Sequence, residues 1–393
     1  MASLSAEGCR IRRKSLSAEA SRSLACNLLI VADPRELVRL GNYYPSPFVF
    51  NAVGSGAFLI VAPDRATLVS DNVARPFLER SHVDEIIAPV WYEGKRSARN
   101  RADVRIEATI ETIKPFIGSH PRIGVDQAYM PSSLIDRLKD IDPKIELVEI
   151  APIAERERRF KHDDELALLR LSIAAGEAGF AAALGEIGPG MTEFDAYWIV
   201  SNAATRTLGE PAIVYGDFVS GPRCQKIGGP PSDRVIARGD LFILDYSVVV
   251  HGYRGDFANT FKVGGVEPDP IERDRFDLCI DALSAGESAL RGGAQACTVD
   301  AAVRNVYRTR GFETKSCFPS HAGHGIGLAH PEPPFIVPDS DDTLEIGDVV
   351  TLEPGFYQDG VLGMRFERNY RIVADGYERL TFHRLMLNTS KKL

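Results

Sequence analysis

Apolar and polar positions divide the chain into a part with short apolar runs and a part with helical repeats. An apolar run at residues 56–62, a turn at 63–65 and a second run at 66–70 predict a β-hairpin. Further short runs at 122–126 and 145–150 predict two more strands. Because stretches of helical character separate these runs, the first part of the chain is predicted to be an α/β domain.

Helical patterns become longer along the chain. In the first part, Ser132 or Ser133 is expected to cap a short helix over residues 134–139. Residues 163–184 carry leucine and alanine at helical spacing, which predicts a long amphipathic helix. Thr192 then offers an N-cap for the helix that follows.

The sequence pattern changes at the charged run of residues 155–159, and we interpret this run as a solvated connection or a helix start. It predicts a first domain over residues 1–155 and a second over residues 156–393. The basic residues from Arg10 to Lys14 lie in a serine-rich start of the chain, which is expected to be a frayed terminus or, alternatively, a transit-like or tag-like tail. A secretory signal is not expected, since no continuous apolar stretch follows this segment.

Composition narrows the classes of protein that the chain can represent. Its 393 residues are 44% hydrophobic and 25% charged, which is enough apolar material for a core without disulfides. The formal net charge of −8 disfavours general binding to nucleic acid or anionic membranes. No apolar run approaches the roughly 20 residues of a membrane span. The six cysteines are widely spaced without a CxxC pair, which favours reduced thiols in the cytoplasm.

Candidate metal ligands are concentrated in the last part of the chain, after apolar runs or between glycines. Asp245 ends an apolar run and Asp256 lies eleven residues later, so a hairpin between them would bring both carboxylates together. Taken singly, each acid could instead be a turn or surface residue. Taken together they would repel one another without cations, and oxygen ligands with one imidazole suit Mn²⁺, Co²⁺, Zn²⁺ or Fe²⁺. The set is Asp245, Asp256, His324, Glu353 and Glu367.

The order of these motifs resembles that of the pita-bread metallopeptidases, which include aminopeptidase P, prolidase, methionine aminopeptidase and the metal-free creatinase. Such a resemblance implies an α+β fold with a pita-bread C-terminal catalytic domain and a smaller α/β creatinase-like N-terminal domain. It is carried by the spacing of Asp245 and Asp256, the GHGIG run around His324, the EPG run at Glu353, and Arg365-x-Glu367.

The same resemblance implies two divalent metal ions, Mn, Co, Zn or Fe. Asp245 matches the family's chelating aspartate, while Asp256 and Glu367 match its bridging acids. His324 and Glu353 match ligands of the second metal. A hydroxide that bridges the two metals would then attack a carbonyl carbon, with Glu353 moving the proton.

Three further residues complete the implied catalytic set. Arg365 resembles a position that holds substrate or bridging groups, or it forms a salt bridge to a ligand carboxylate. His330 follows His324 by six residues, one place earlier than in the usual family pattern, and is predicted to reach the carbonyl oxygen of a substrate. His321 either lines the pocket or packs beside Phe318.

Departures from the family pattern affect the choice of substrate. Residues 227–230 stand where the peptidases carry a histidine ahead of the first aspartate, and Arg368 stands where a further acid is common. The first hypothesis is a cytoplasmic, homodimeric, dinuclear hydrolase that acts on short peptides as an Xaa-Pro-type dipeptidase or aminopeptidase. The alternative is a small-molecule hydrolase or lyase similar to ectoine hydrolase, dimethylsulfoniopropionate lyase or creatinase. A third hypothesis is a non-catalytic binding protein.

Overall fold

In the computed structural model of the protein, residues 3–49, 56–94, 98–118 and 121–388 are described, and the chain divides into two units. The first unit is Ala2–Arg158 and the second begins at Arg159. Both units combine helices with β-sheets, so the fold is α+β, as predicted.

The first unit is built around one mixed sheet. Its elements are α1 (Ala6–Leu24), β1 (Leu28–Val31), α2 (Pro34–Gly41), β2 (Phe58–Val61), β3 (Ala66–Val69), α3 (Arg75–Leu78), β4 (Glu85–Ile87), α4 (Arg101–Ile113), β5 (Arg122–Val125), α5 (Ser132–Ile141), β6 (Glu146–Glu149) and α6 (Ala151–Arg159). The strand order is β4-β3-β2-β1-β5-β6. The predicted hairpin is confirmed, since β2 pairs antiparallel with β3 and Val61 lies opposite Ala66.

Two expectations for this unit are wrong. The N-terminal segment is not frayed but forms helix α1, in which Leu16 is fully buried. Arg12 is buried as well. Its guanidinium is satisfied there by a hydrogen bond of 2.7 Å that it donates to the carbonyl of Arg39, near the end of α2. Helix α5 begins at Ser132, so Ser132 and Ser133 are its first residues and Pro131 stands at the N-cap. A proline is compatible with the start of a helix because its fixed φ suits the turn into it.

Over residues 159–388, the second unit contains three sheets and the longer helices. Its elements are α7 (Asp163–Glu186), α8 (Glu193–Leu208), β7 (Ile213–Ser220), β8 (Leu241–Val250), β9 (Tyr253–Arg254), β10 (Phe257–Lys262), α9 (Pro270–Ala289), α10 (Ala296–Thr309), α11 (Thr314–Cys317), β11 (Gly323–Gly325), β12 (Glu332–Ile336), β13 (Val349–Leu352), β14 (Gly355–Gln358), β15 (Leu362–Arg365), β16 (Arg368–Val373) and β17 (Gly376–Arg379). One sheet has the order β10-β8-β7, a second has β12-β11-β13-β16-β17, and β14 pairs with β15.

The helix predicted over 163–184 is confirmed as α7, and Thr192 caps α8 by accepting a hydrogen bond from the backbone of Asp195. By length and composition α7 could also cross a membrane, but 56% of its most apolar window is buried within the unit. Gly176 lets α7 pack closely on β10, because a Cβ there would lie 2.5 Å from the ring of Phe257. The helix therefore supports the strand that follows Asp256.

Candidate metal centre

Three carboxylates meet where β8, β10 and β15 come together. Asp245 lies in the middle of β8 rather than at the end of a strand, and it pairs with Ala258 on β10. Asp256 lies immediately before β10, and Glu367 follows β15, where its backbone N–H donates to the carbonyl of Ala258 at 2.9 Å. Carboxylate oxygens of Asp245, Asp256 and Glu367 lie within 4.8 Å of one another.

Glu367 is the most unusual member of this group. It is fully buried, and among the described residues neither of its carboxylate oxygens has a hydrogen-bond partner. Burial, together with the nearby Asp256 and Glu353, raises the pKa of Glu367 well above its ordinary value. Burial likewise raises the pKa of Asp245 well above its ordinary value, although Arg365 opposes this shift. A bound cation would satisfy these oxygens and replace the protons.

Two histidines reach Glu353 at the end of β13. The Nε2 atom of His324 lies 3.2 Å from Glu353 Oε1 and 3.8 Å from an oxygen of Asp256. His321 Nε2 lies 2.7 Å from the same oxygen of Glu353. Burial alone would raise the pKa of Glu353, but hydrogen bonds from His321 and His324 outweigh it and hold the pKa below its ordinary value. Donor atoms of His321, His324 and Glu353 form a second group within 4.8 Å.

His330 also packs against His324. Its Nε2 atom contacts Asp256 Oδ2 within hydrogen-bond distance, despite the shift of one place in the sequence. Burial would raise the pKa of Asp256, but the hydrogen bond and charge of His330 outweigh it and lower the pKa. Asp256, His324 and His330 form a third group of donors within 4.8 Å.

Arg365 is buried beside the carboxylates and contacts Asp245 through Nη1. Its Nε donates to the hydroxyl of Tyr357 at 2.7 Å, and its Nη2 donates to the carbonyl of Ile227. Of the two alternatives from the sequence, the salt bridge to a candidate ligand is the contact that the structure contains. Such a guanidinium offsets part of the negative charge of the site.

Sequence reasoning missed Asp217 on β7. Asp217 lies directly opposite Asp245 in the pairing of β7 with β8, and its Oδ2 accepts a hydrogen bond of 3.1 Å from Arg365. Its other oxygen accepts one of 2.8 Å from the N–H of Gly229. No sequence motif marks Asp217, because its place in the site follows from strand register alone.

Ile227 and Tyr357, which both accept hydrogen bonds from Arg365, also line a cavity of about 360 Å³. Ser316 and Pro319 contribute to its wall, and Lys226 lies at its exposed rim. The volume suits a small ligand such as a short peptide or a compound of similar size.

The second unit thus combines helices and sheets around a group of buried acids and histidines whose donors suit divalent cations. The sequence model of metallopeptidase family M24 matches residues 167–374, which is more than half of the chain. The chain therefore belongs to metallopeptidase family M24, whose members generally use divalent metal ions.

Two curated relatives are peptidases of bacteria. An uncharacterized peptidase of Staphylococcus aureus (strain USA300) is 26% identical over 235 residues, which cover 58% of this chain and 63% of that protein. The chain thus spans less than two thirds of the length of that relative. The uncharacterized peptidase YqhT of Bacillus subtilis (strain 168) is 28% identical over 332 residues, covering 84% of this chain and 88% of that protein.

Solved structures extend the likeness to both units. An X-Pro aminopeptidase from Thermotoga maritima matches with a TM-score of 0.81 at 20% identity, covering 96% of this chain and 99% of that one. An Xaa-Pro dipeptidase from Bacillus anthracis matches with a TM-score of 0.81 at 22% identity, covering 97% and 99%. The fold is therefore a pita-bread catalytic domain with a smaller α/β creatinase-like N-terminal domain, as the sequence predicts.

Proposed function

We propose that this chain is a dinuclear metal-dependent peptidase that cleaves Xaa-Pro bonds in short peptides. The observation that carries the proposal is the buried carboxylate of Glu367, which has no hydrogen-bond partner among the described residues and lies beside Asp245 and Asp256. Burying such a group without a partner costs free energy that a divalent cation recovers. The family membership supports the same assignment.

In this proposal the ions are held by Asp245, Asp256, His324, Glu353 and Glu367. Bound divalent ions supply a Lewis acid for the scissile carbonyl and a nucleophile from water near neutral pH. Glu353 accepts a hydrogen bond from His321, whose side chain is partly exposed. This hydrogen bond orients Glu353, which in this proposal takes up a proton from water as the general base.

Arg365 acts on the reaction through the candidate ligands. It is buried between Asp245 and Asp217 and stays charged, so it cannot exchange protons near neutral pH. Its fork of donors fixes the orientation of Asp245, the carboxylate proposed to chelate one ion. We therefore regard Arg365 as a positioning residue.

A second candidate function is favoured by the segment around Gly228. In it, the chain acts on a non-peptide small molecule as a hydrolase or a lyase. A Cβ at residue 228 would lie 1.9 Å from Asp217 Oδ2, so a histidine does not fit there without displacing this acid. The wall of the neighbouring cavity is formed instead by Ile227. A pocket with this altered wall would orient a substrate differently from one that carries the family histidine.

The deciding experiment offers the metal-loaded full chain a panel of Xaa-Pro dipeptides and Xaa-Pro-Xaa tripeptides beside cyclic amidines, betaines and sulfonium compounds. Release of proline or of the N-terminal residue, lost with chelator and restored with metal, is the expected result. Asp256→Asn is expected to abolish turnover and retain the fold. Turnover of a non-peptide alone would reject the peptidase assignment in favour of the second candidate.

A further inference from the structure

His330 lies among the candidate ligands rather than at their edge. Its Nε2 atom contacts an oxygen of Asp256, and its ring packs edge-on against that of His324 with centroids 4.8 Å apart. One donor atom from each of the three residues lies within 4.8 Å of the donor atoms of the other two. Two imidazoles and one carboxylate at this spacing form a donor set that transition metals use.

The hydrogen bond from His324 to the backbone leaves Nε2 of its ring available to bind a metal ion. Its Nδ1 lies 2.9 Å from the carbonyl oxygen of Gly325, which can only accept, so Nδ1 carries the proton. The other ring nitrogen, Nε2, faces Asp256 and Glu353. A backbone carbonyl that fixes the tautomer in this way is a common partner of metal-binding histidines.

The segment that carries His330 is held in place by neighbouring groups. The guanidinium of Arg254 donates to the carbonyl of His330 at 3.1 Å, and the backbone N–H of Arg254 donates to the carbonyl of Gly327 at the same distance. Gly327 itself packs against a buried ion pair, since a Cβ there would lie 2.7 Å from Glu332 and 2.9 Å from Lys161. A donor whose supporting chain is fixed at two points is preorganised for a ligand.

We propose that His330 is a metal ligand which, with His324 and Asp256, forms a nitrogen-rich cation position. The inference rests on the metal-dependent function proposed above and adds a second imidazole to the donors that the family resemblance implies. The neighbouring position, formed by Asp245, Asp256 and Glu367, offers oxygen alone. Imidazole donors suit Zn²⁺ and Fe²⁺, whereas carboxylates suit Mn²⁺, so the two positions differ in the metals they prefer.

The test uses the full chain, first freed of metal with a chelator and then dialysed against equimolar Zn²⁺ and Mn²⁺. Bound metals are counted by mass spectrometry, and the visible absorption spectrum of a Co²⁺-loaded sample reports the ligands directly. The wild-type protein is expected to retain Zn²⁺ in preference to Mn²⁺ at one position. His330→Ala is expected to change the Co²⁺ spectrum and to weaken Zn²⁺ binding at that position. Loss of a residue that only hydrogen-bonds to a ligand weakens binding by ~10–100-fold, and the loss in His330→Ala should be larger.

Two further variants separate ligation from other effects. Arg254→Met keeps the imidazole but removes the hydrogen bond to its carbonyl, so Zn²⁺ binding is expected to weaken by a smaller factor of about 10–100. His251→Asn removes an imidazole from the turn between β8 and β9, where the positive φ of 52° is one that asparagine tolerates. That control is expected to leave the Co²⁺ spectrum and the Zn²⁺ preference unchanged.

The outcomes distinguish this inference from the proposed peptidase activity. If His330→Ala keeps the wild-type Co²⁺ spectrum and metal preference while turnover falls, His330 contacts the substrate and is not a ligand. If the wild-type chain cleaves no Xaa-Pro peptide yet shows a spectrum that depends on His330, the ligand assignment stands and the substrate assignment fails. If the wild-type chain binds no divalent metal, both proposals are wrong.

Discussion

Arg365 Nη1 donates a hydrogen bond of 3.1 Å to Asp217 Oδ2, joining two positions that are 148 residues apart in the chain. Asp217 also accepts a hydrogen bond from the N–H of Gly229 and thereby ties the segment after Ile227 to the same guanidinium. The pair therefore links the cavity wall to the candidate ligand Asp245.

Asp217→Ala is expected to lower kcat/KM by about 10–100-fold without unfolding the protein, because Arg365 loses one of the groups that orient it. Steady-state kinetics and metal content of the purified variant provide the measurement. Glu378→Ala serves as the matched control, since it removes an acid from an exposed ion pair with Arg170 and surface pairs contribute little. Equal activity of Asp217→Ala and wild type would contradict the positioning role.

Gly228→Ala is expected to reproduce the loss caused by Asp217→Ala. The added Cβ would lie 1.9 Å from Asp217 Oδ2, so the carboxylate must move away from Arg365. Because both changes break the same contact, the double variant should lose little more activity than either single variant. Additive losses in kcat/KM would show that residue 228 acts independently of Asp217.

Metal binding is expected to release protons and to tighten as the pH rises. Burial raises the pKa values of Asp245 and Glu367 in the metal-free protein, so these acids retain protons at pH values where free carboxyls are ionised. A cation must displace those protons, which opposes binding more strongly at lower pH. Titration calorimetry in buffers of different ionisation enthalpy would measure the number released. Binding without proton release would show that both acids are already ionised.

His383 is expected to make the second unit less stable in mild acid. Burial lowers the pKa of His383 to about 4, and the ring packs between Phe180 and Phe257. Because the unfolded chain binds this proton near pH 6.5 and the folded one does not, stability falls as the pH drops from about 6.5 to 4. The loss from this residue reaches at most about 3 kcal/mol.

His383→Gln should remove this part of the acid sensitivity, since its amide can still donate to the carbonyl of Ala258, which accepts from His383 Nε2 at 3.3 Å. Urea unfolding of both proteins between pH 4 and 7.5, with chelator present, gives the comparison. The free-energy difference between wild type and variant should shrink with falling pH. A difference that does not vary with pH would mean that His383 titrates alike in both states.

The fold could largely be predicted from local patterns. Apolar runs identified the hairpin of β2 and β3, and the spacing of leucines identified α7. The N-terminal helix α1 was missed because its basic residues suggested exposure. Only the folded chain shows that Arg12 is buried against the carbonyl of Arg39.

The sequence by itself determined which residue types were available for metal chemistry, because motif spacing near Asp245, His324 and Glu367 is a local property. The tertiary structure alone decided that Asp217 stands opposite Asp245 and that His330 reaches Asp256 from 74 residues away. Strand register and loop packing set those distances. Both depend on contacts between segments that are remote in the chain, and no local pattern records such contacts.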